Sequence, residues 1–172
     1  MSAELIRIVD AALAESARKA GQWLVCRPGC AECCRGPFPI SPLDAERLAE
    51  GLAALKAEDP RRAARVLDRA RAWKDAGDEP CPALDPDAGT CDLYGARPLT
   101  CRTFGPPVRC RSGALAVCEL CFDGATEEEI EACVVDLDLE TLDPPGAPET
   151  TVAEALLTRY PPAMPPLPGA DE

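Results

Sequence analysis

The stretch CRPGCAECC, residues 26–34, places four thiols within nine positions, with Cys33 and Cys34 adjacent. Thiols at that density form disulfides in a secreted chain and bind metal in a cytosolic one. The residues ahead of it, MSAELIRIVDAALAESARKAG, hold no basic segment followed by an apolar one of the kind that directs secretion. Instead Leu5, Ile8, Val9, Ala12 and Leu13 recur at helical spacing, with Ser2 placed to cap and Gly21 to stop. An amphipathic helix there points to a cytoplasmic protein, and the thiols are then expected to hold metal. The total of eleven cysteines also leaves one over in any scheme of disulfides alone.

A chain of 172 residues suits one domain with a modest core. Aromatic residues make up only 4%, so each buried Ala, Leu or Val brings less area than a ring would, and bound metal is expected to help hold the fold. No apolar run approaches the roughly 20 residues needed to span a bilayer, so no membrane partner is expected. Residues 1–121 carry 17 basic and 17 acidic side chains, whereas residues 122–172 carry 13 acidic ones against Arg159 alone. Nucleic acid binding calls for clustered basic surface, which this distribution lacks. The acidic last third reads as a solvated face.

The pattern predicts a mainly α fold with irregular cysteine-rich loops, a small metal-stabilised single domain over residues 1–160. Helices are expected near 3–20, 42–58, 60–76, 127–135 and 152–160. Ser41-Pro42-Leu43-Asp44 and Asp59-Pro60 are helix starts, and Thr126 to Glu129 and Thr151 to Glu154 are capping boxes. Leu48, Leu52 and Leu55, then Ala63, Val66, Leu67, Ala70 and Trp73, mark the apolar faces of a helical hairpin. The cysteine core occupies 26–35 and 80–122, where Gly, Pro and Asp recur too often for long regular elements. Residues 161–172 are Pro-rich and expected to be disordered.

Two C-x2-C pairs stand out, Cys30 with Cys33 and Cys118 with Cys121. That spacing lets one tight turn offer two thiolates to a single ion, and four such thiolates suit zinc or an iron–sulfur cluster. A redox-active dithiol would instead call for a thioredoxin-like alternation of strands and helices, which the pattern does not contain. With no histidine in the chain, two-Cys-two-His fingers, two-His metalloprotease helices and Ser-His or Cys-His nucleophiles are excluded. Four thiolates around zinc leave no position for water, so a structural or electron-transfer role follows more naturally than hydrolysis. Cys133, inside the expected last-but-one helix, reads as a small buried hydrophobe, and Cys110 is left unassigned.

The segments CRPGCAECCR at 26–35, CPAL at 81–84 and CDLYGARPLTCR at 91–102, with CELCF at 118–122, resemble the YkgJ-type cysteine-cluster family of zinc- or iron-chelating domains. One departure is that three residues, not two, separate Cys26 from Cys30. The resemblance implies metal ions as partners and an iron–sulfur cluster or zinc as cofactor. The metal ligands are then Cys26, Cys30, Cys33, Cys34, Cys81, Cys91, Cys101, Cys118 and Cys121. A similar pattern in flagellin lysine methylases, associated there with an iron–sulfur cluster, tilts the metal toward iron.

Arg97 and Arg102 are expected to offset thiolate charge, since four thiolates around a dication leave two net negative charges that are costly to bury. Pro98 stiffens the turn that delivers Cys101. Tyr94 is expected to pack with its hydroxyl satisfied. In an extended stretch Cys33 and Cys34 would face opposite sides of the backbone and so serve different metal positions. The function expected is chelation of iron, as a cluster, or of zinc. The alternative is an iron–sulfur redox component or an enzyme of methylase-like or oxidoreductase type, although no catalytic residue is identified and the balance leans away from an enzyme. The Cys26-x3-Cys30-x2-Cys33 spacing also matches radical S-adenosylmethionine enzymes, but the chain lacks the strands and length of their barrels.

Overall fold

The computed structural model describes residues 3–75, 77–109, 113–137 and 148–159. Ser2, Cys110, Arg111 and the Pro-rich segment 161–172 lie outside the described residues.

Among the described residues the helices are α1 Ala3–Ala20, α2 Pro42–Glu58, α3 Pro60–Ala72, α4 Leu99–Thr103, α5 Glu127–Glu131 and α6 Val152–Arg159, of which the short α4 is not among those expected from sequence. Ser41 Oγ accepts the Asp44 N–H at 3.1 Å to start α2, and Asp59 Oδ1 accepts the Arg62 N–H at 3.0 Å to start α3. Both helices carry proline at their first position, where its missing N–H costs nothing. α5 and α6 each open on a reciprocal box, Thr126 with Glu129 and Thr151 with Glu154.

The largest core lies among α2, α3 and α6, where Leu48, Leu52, Val66 and Leu156 are fully buried. Each such side chain contributes about 1.5–3 kcal/mol relative to exposure. Ile40 and Thr150 exchange backbone hydrogen bonds of 2.8 and 3.1 Å, which sets the start of α6 beside the start of α2. A second core joins Ile6, Val9 and Leu13 of α1 to Leu99 and Val108. A third, small one gathers Ala20, Cys121, Phe122 and Cys133.

The cysteine-rich middle contains short strands that periodicity cannot show. β1 Leu84–Asp85 and β2 Thr90–Cys91 form an antiparallel hairpin, pairing Leu84 with Cys91. β3 Val108–Arg109 pairs antiparallel with β4 Leu115–Ala116 and parallel with β5 Val135–Asp136. Helix α5 therefore stops at Glu131 rather than running to 135, because the following residues join this sheet. α3 likewise stops at Ala72, with Trp73 extended and only half-buried. In α1 the buried stripe is Ile6, Val9, Leu13, Ser16 and Ala20, while Ile8, expected inside, is 57% exposed. Ser16 is accommodated there because its hydroxyl donates to the Cys133 carbonyl. Among the described residues no helix is long and apolar enough to cross a membrane.

Two features fix the hairpin and the turn after it against the helices. Asp92 is buried, and its two oxygens accept from Arg62 Nε and Arg69 Nη2 at 2.5 Å each, while Arg69 Nε donates to the Pro82 carbonyl at 2.8 Å. At Gly51, in mid-α2, an added Cβ would stand 2.3 Å from the Ala96 Cβ, so glycine is what lets the 3-10 turn Tyr94–Ala96 lie on the helix.

Two outcomes follow. In an unencumbered helix Gly51→Ala would gain about 1 kcal/mol of propensity. Here we expect net destabilisation, since overpacking costs about 1–3 kcal/mol, read as a lower denaturant midpoint and restored by Ala96→Gly in the double variant. A raised midpoint in the single variant would show that the approach is not tight. Asp92→Asn should cost about 2–4 kcal/mol, somewhat under the roughly 3–5 of a fully buried pair because Arg62 stays partly in solvent. An unchanged midpoint would show that the ion pair does not anchor the hairpin.

Candidate metal centre

The ten cysteines among the described residues are all free thiols. Several are brought together from distant parts of the chain by backbone hydrogen bonds. The loop carrying Cys30, Cys33 and Cys34 is a pair of tight turns, with Cys30 N–H on the Arg27 carbonyl and Cys34 N–H on the Ala31 carbonyl, both at 2.9 Å. It is fastened to the next cysteine segment by Cys81 N–H on the Cys34 carbonyl at 2.8 Å and Gly36 N–H on the Glu79 carbonyl at 2.9 Å. The loop of Cys118 and Cys121 is a similar turn, Cys121 N–H on the Cys118 carbonyl at 2.9 Å. It is fastened to the residues before Cys26 by Phe122 N–H on the Trp23 carbonyl at 2.9 Å.

Cys34, Cys81, Cys91 and Cys101 are electrostatic neighbours. Cys81 and Cys91 pack against the α2–α3–α6 core. Cys101 rides on α4, whose first N–H, at Leu99, donates to Asp44 Oδ2 at 3.0 Å. A second neighbourhood joins Cys26 with Cys30, Cys33 and Cys118, and Cys118 with Cys121, and Cys33 links it to the first through Cys34 and Cys101. Cys118 and Cys121 pack with the third core. Cys133 is buried in that same core, its thiol on the Glu129 carbonyl at 3.3 Å, as a small hydrophobe would be.

The turn at Cys33 and Cys34 replaces the extended backbone expected from sequence. Their side chains are not splayed apart; the Cys33 thiol donates to Cys34 sulfur, which pushes the Cys33 pKa up and draws that of Cys34 down. Burial pushes Cys101 up to about 12 and Cys81 up to about 11, the neighbouring thiols adding to the effect. Burial also raises Cys26, Cys91 and Cys121.

Backbone donors oppose this. The N–H groups of Ala83 and Leu84 point to Cys81 sulfur, that of Leu93 to Cys91, and those of Val25 and Cys26 to Cys121. Such donors support sulfur in its anionic, metal-ligating form.

The two arginines singled out by sequence divide. Arg97 draws down the pKa of Cys26, Cys33 and Cys91, so it faces thiols of both neighbourhoods. Its Nε is buried without a hydrogen-bond partner, and its guanidinium stacks 3.8 Å over the Tyr94 ring. Tyr94 itself is 64% exposed rather than packed away. Arg102 donates to both carboxylate oxygens of Asp10 at 2.7 Å and to the Gly95 and Arg97 carbonyls at 2.8 and 3.2 Å. It fixes α4 to α1.

Sequence reasoning missed Arg62, Arg69 and Asp92. The seven-residue spacing of the arginines on one face of α3 and the acid beside Cys91 were the available signals.

Among the described residues no group of three or more candidate ligands stands in a geometry that could hold a metal ion. The donor chemistry nevertheless fits a soft metal: clustered thiols, N–H groups aimed at sulfur, and a buried guanidinium nitrogen left unpaired beside them. The groove of about 760 Å³ between α2 and α6, lined by Ala45, Ala49, Ala53 and Thr158, carries no thiol and is not this site.

No curated protein and no solved structure matches the chain. A family model, CxxCxxCC, described as "Putative zinc- or iron-chelating domain", matches residues 25–132, which takes in all nine expected ligands. With well over half of its length matched, the chain belongs to the CxxCxxCC family, whose description gives it a general metal-binding role.

Proposed function

We propose that the protein chelates iron, held as an iron–sulfur cluster, or zinc, through Cys26, Cys30, Cys33, Cys34, Cys81, Cys91, Cys101, Cys118 and Cys121. The observation that carries this reading is the convergence of thiols from four chain segments with backbone N–H groups directed at Cys81, Cys91 and Cys121. Thiolate is a soft ligand that selects iron–sulfur clusters or zinc over magnesium or calcium. Bound metal would supply charge neutralisation for the buried sulfurs, and Arg97 supports it from beside them. The backbone around the thiols has little apolar surface of its own, so metal binding and ordering of this region are coupled.

Elemental analysis for iron, zinc and acid-labile sulfide after anaerobic purification tests the reading. A brown chromophore that bleaches on reduction identifies the cluster, a colourless loaded protein identifies zinc, and a metal-free protein that takes up neither refutes chelation.

Stripping the metal should raise hydrogen exchange across residues 77 to 122 before the helical hairpin at 42 to 72 responds. Exchange unchanged by complete removal would uncouple the metal from the fold. Serine keeps the shape of cysteine but is a poor soft-metal ligand. Cys133→Ser should therefore retain full metal content while Cys101→Ser loses metal, and equal loss in both would overturn the ligand assignment.

A further inference from the structure

Cys101 rides on the five-residue α4, which is too short to hold its own shape, so its place is set from outside. The next residue, Arg102, is the grip. Its side chain is only 5% exposed, and Nη1 donates to both carboxylate oxygens of Asp10 at 2.7 Å. The other nitrogens reach the opposite way, Nη2 to the Gly95 carbonyl at 2.8 Å and Nε to the Arg97 carbonyl at 3.2 Å. One guanidinium thus ties α1 both to the helix that carries Cys101 and to the turn that delivers Arg97.

We infer that Asp10 of α1, which precedes the family-matched segment, is a positioning residue of the metal centre: through Arg102 it sets where the Cys101 sulfur and the Arg97 guanidinium stand. This rests on the chelation reading above, which makes Cys101 a ligand, and adds to it a residue that touches no metal.

α1 suits that task because it is itself fixed along its length. Ile6, Val9 and Leu13, on either side of Asp10 in the sequence, pack with Leu99 and Val108. Ser16 donates to the Cys133 carbonyl, and Ala20 is buried with Cys121 and Phe122. At the rise of a helix, Asp10 to Ala20 spans about 15 Å, so one rod meets both the Cys101 helix and the core that holds the Cys118–Cys121 loop. Removing the Asp10 charge leaves the buried guanidinium, which stays protonated, with carbonyls alone. Asp92 performs the parallel task for the segment of Cys81 and Cys91, so the two carboxylates hold different thiols.

Alkylation of the reduced, metal-free full chain by iodoacetamide, resolved cysteine by cysteine in a mass spectrometer, tests the placement. In Asp10→Asn the Cys101 rate should rise about tenfold over wild type, the shift that a lost ion pair gives a local opening equilibrium, while Cys81 and Cys91 keep their rates. Equal acceleration of all three would make the pair a prop of the whole fold and overturn the inference, as would an unchanged Cys101. Anaerobic titration with Co(II), read by the sulfur-to-metal charge-transfer band, then links placement to binding. The affinity of Asp10→Asn should fall about 10- to 100-fold, the range for a residue that orients a ligand. Equal affinity in the two chains would also overturn the inference. No charge-transfer band in the wild-type chain would instead sink the chelation reading, and the alkylation rates would still decide whether Asp10 places Cys101.

Discussion

The buried carboxylate of Asp92, shared between Arg62 and Arg69, is the interaction on which the arrangement of the sulfurs depends. The segment from Gly77 to Pro98 is rich in Gly, Pro and Asp and brings few apolar side chains to a core. An ion pair holds such a segment where hydrophobic area cannot. Burying the carboxylate is costly, but both oxygens meet a guanidinium and Arg69 also takes the Pro82 carbonyl, so its polar groups are matched. The result holds Cys81 and Cys91 together against the α2–α3–α6 core. The same two arginines bring positive charge toward those sulfurs, Arg69 drawing down the pKa of Cys81 and Arg62 that of Cys91.

That charge matters because the site works against itself until metal arrives. Desolvation holds Cys81 at about 11 and Cys101 at about 12, so at neutral pH both carry protons in the metal-free fold. A metal ion must displace those protons, and its affinity therefore falls as pH falls. The N–H groups on sulfur and the unpaired Nε of Arg97 reduce the penalty in advance. Preorganisation here consists of backbone donors placed at the sulfurs of Cys81, Cys91 and Cys121.

Much of the helical part was legible because it is written locally. Ser41, Asp59, Thr126 and Thr151 each announce a helix through a cap, and Leu48, Leu52 and Leu55 fall on one face at the period of a helix. The failures share a cause in long-range pairing. Ile8 was placed inside because α1 offers two apolar stripes, and the one that is buried includes Ser16, admitted only by the carbonyl of Cys133. The end of α5 depends on β5 meeting β3, whose residues lie more than twenty positions away. Arg102 follows Cys101 in the sequence, but nothing local announces its ion pair with Asp10 on the first helix. The identity of the cysteines was legible from spacing; their division between two cores was not, since it follows from which helix each loop packs on.

Cys101 shows how far the site reaches beyond the residues that match the family. It sits in α4, a helix of five residues that is far too short to be stable alone. Its start is held by Asp44 of α2, and its last turn by Arg102 gripping Asp10 of α1. Leu99, in the same turn, packs on Ile6, Val9 and Leu13 of α1. Asp10 and that apolar stripe precede residue 25, where the family match begins, and α6, which completes the core under Cys81 and Cys91, follows residue 132, where it ends. The matched region thus contains the expected ligands but not all of what aims them. A terminal helix that contributes no sulfur still governs the placement of one, because the carboxylate on α1 and the guanidinium on α4 leave that one-turn helix a single way to lie.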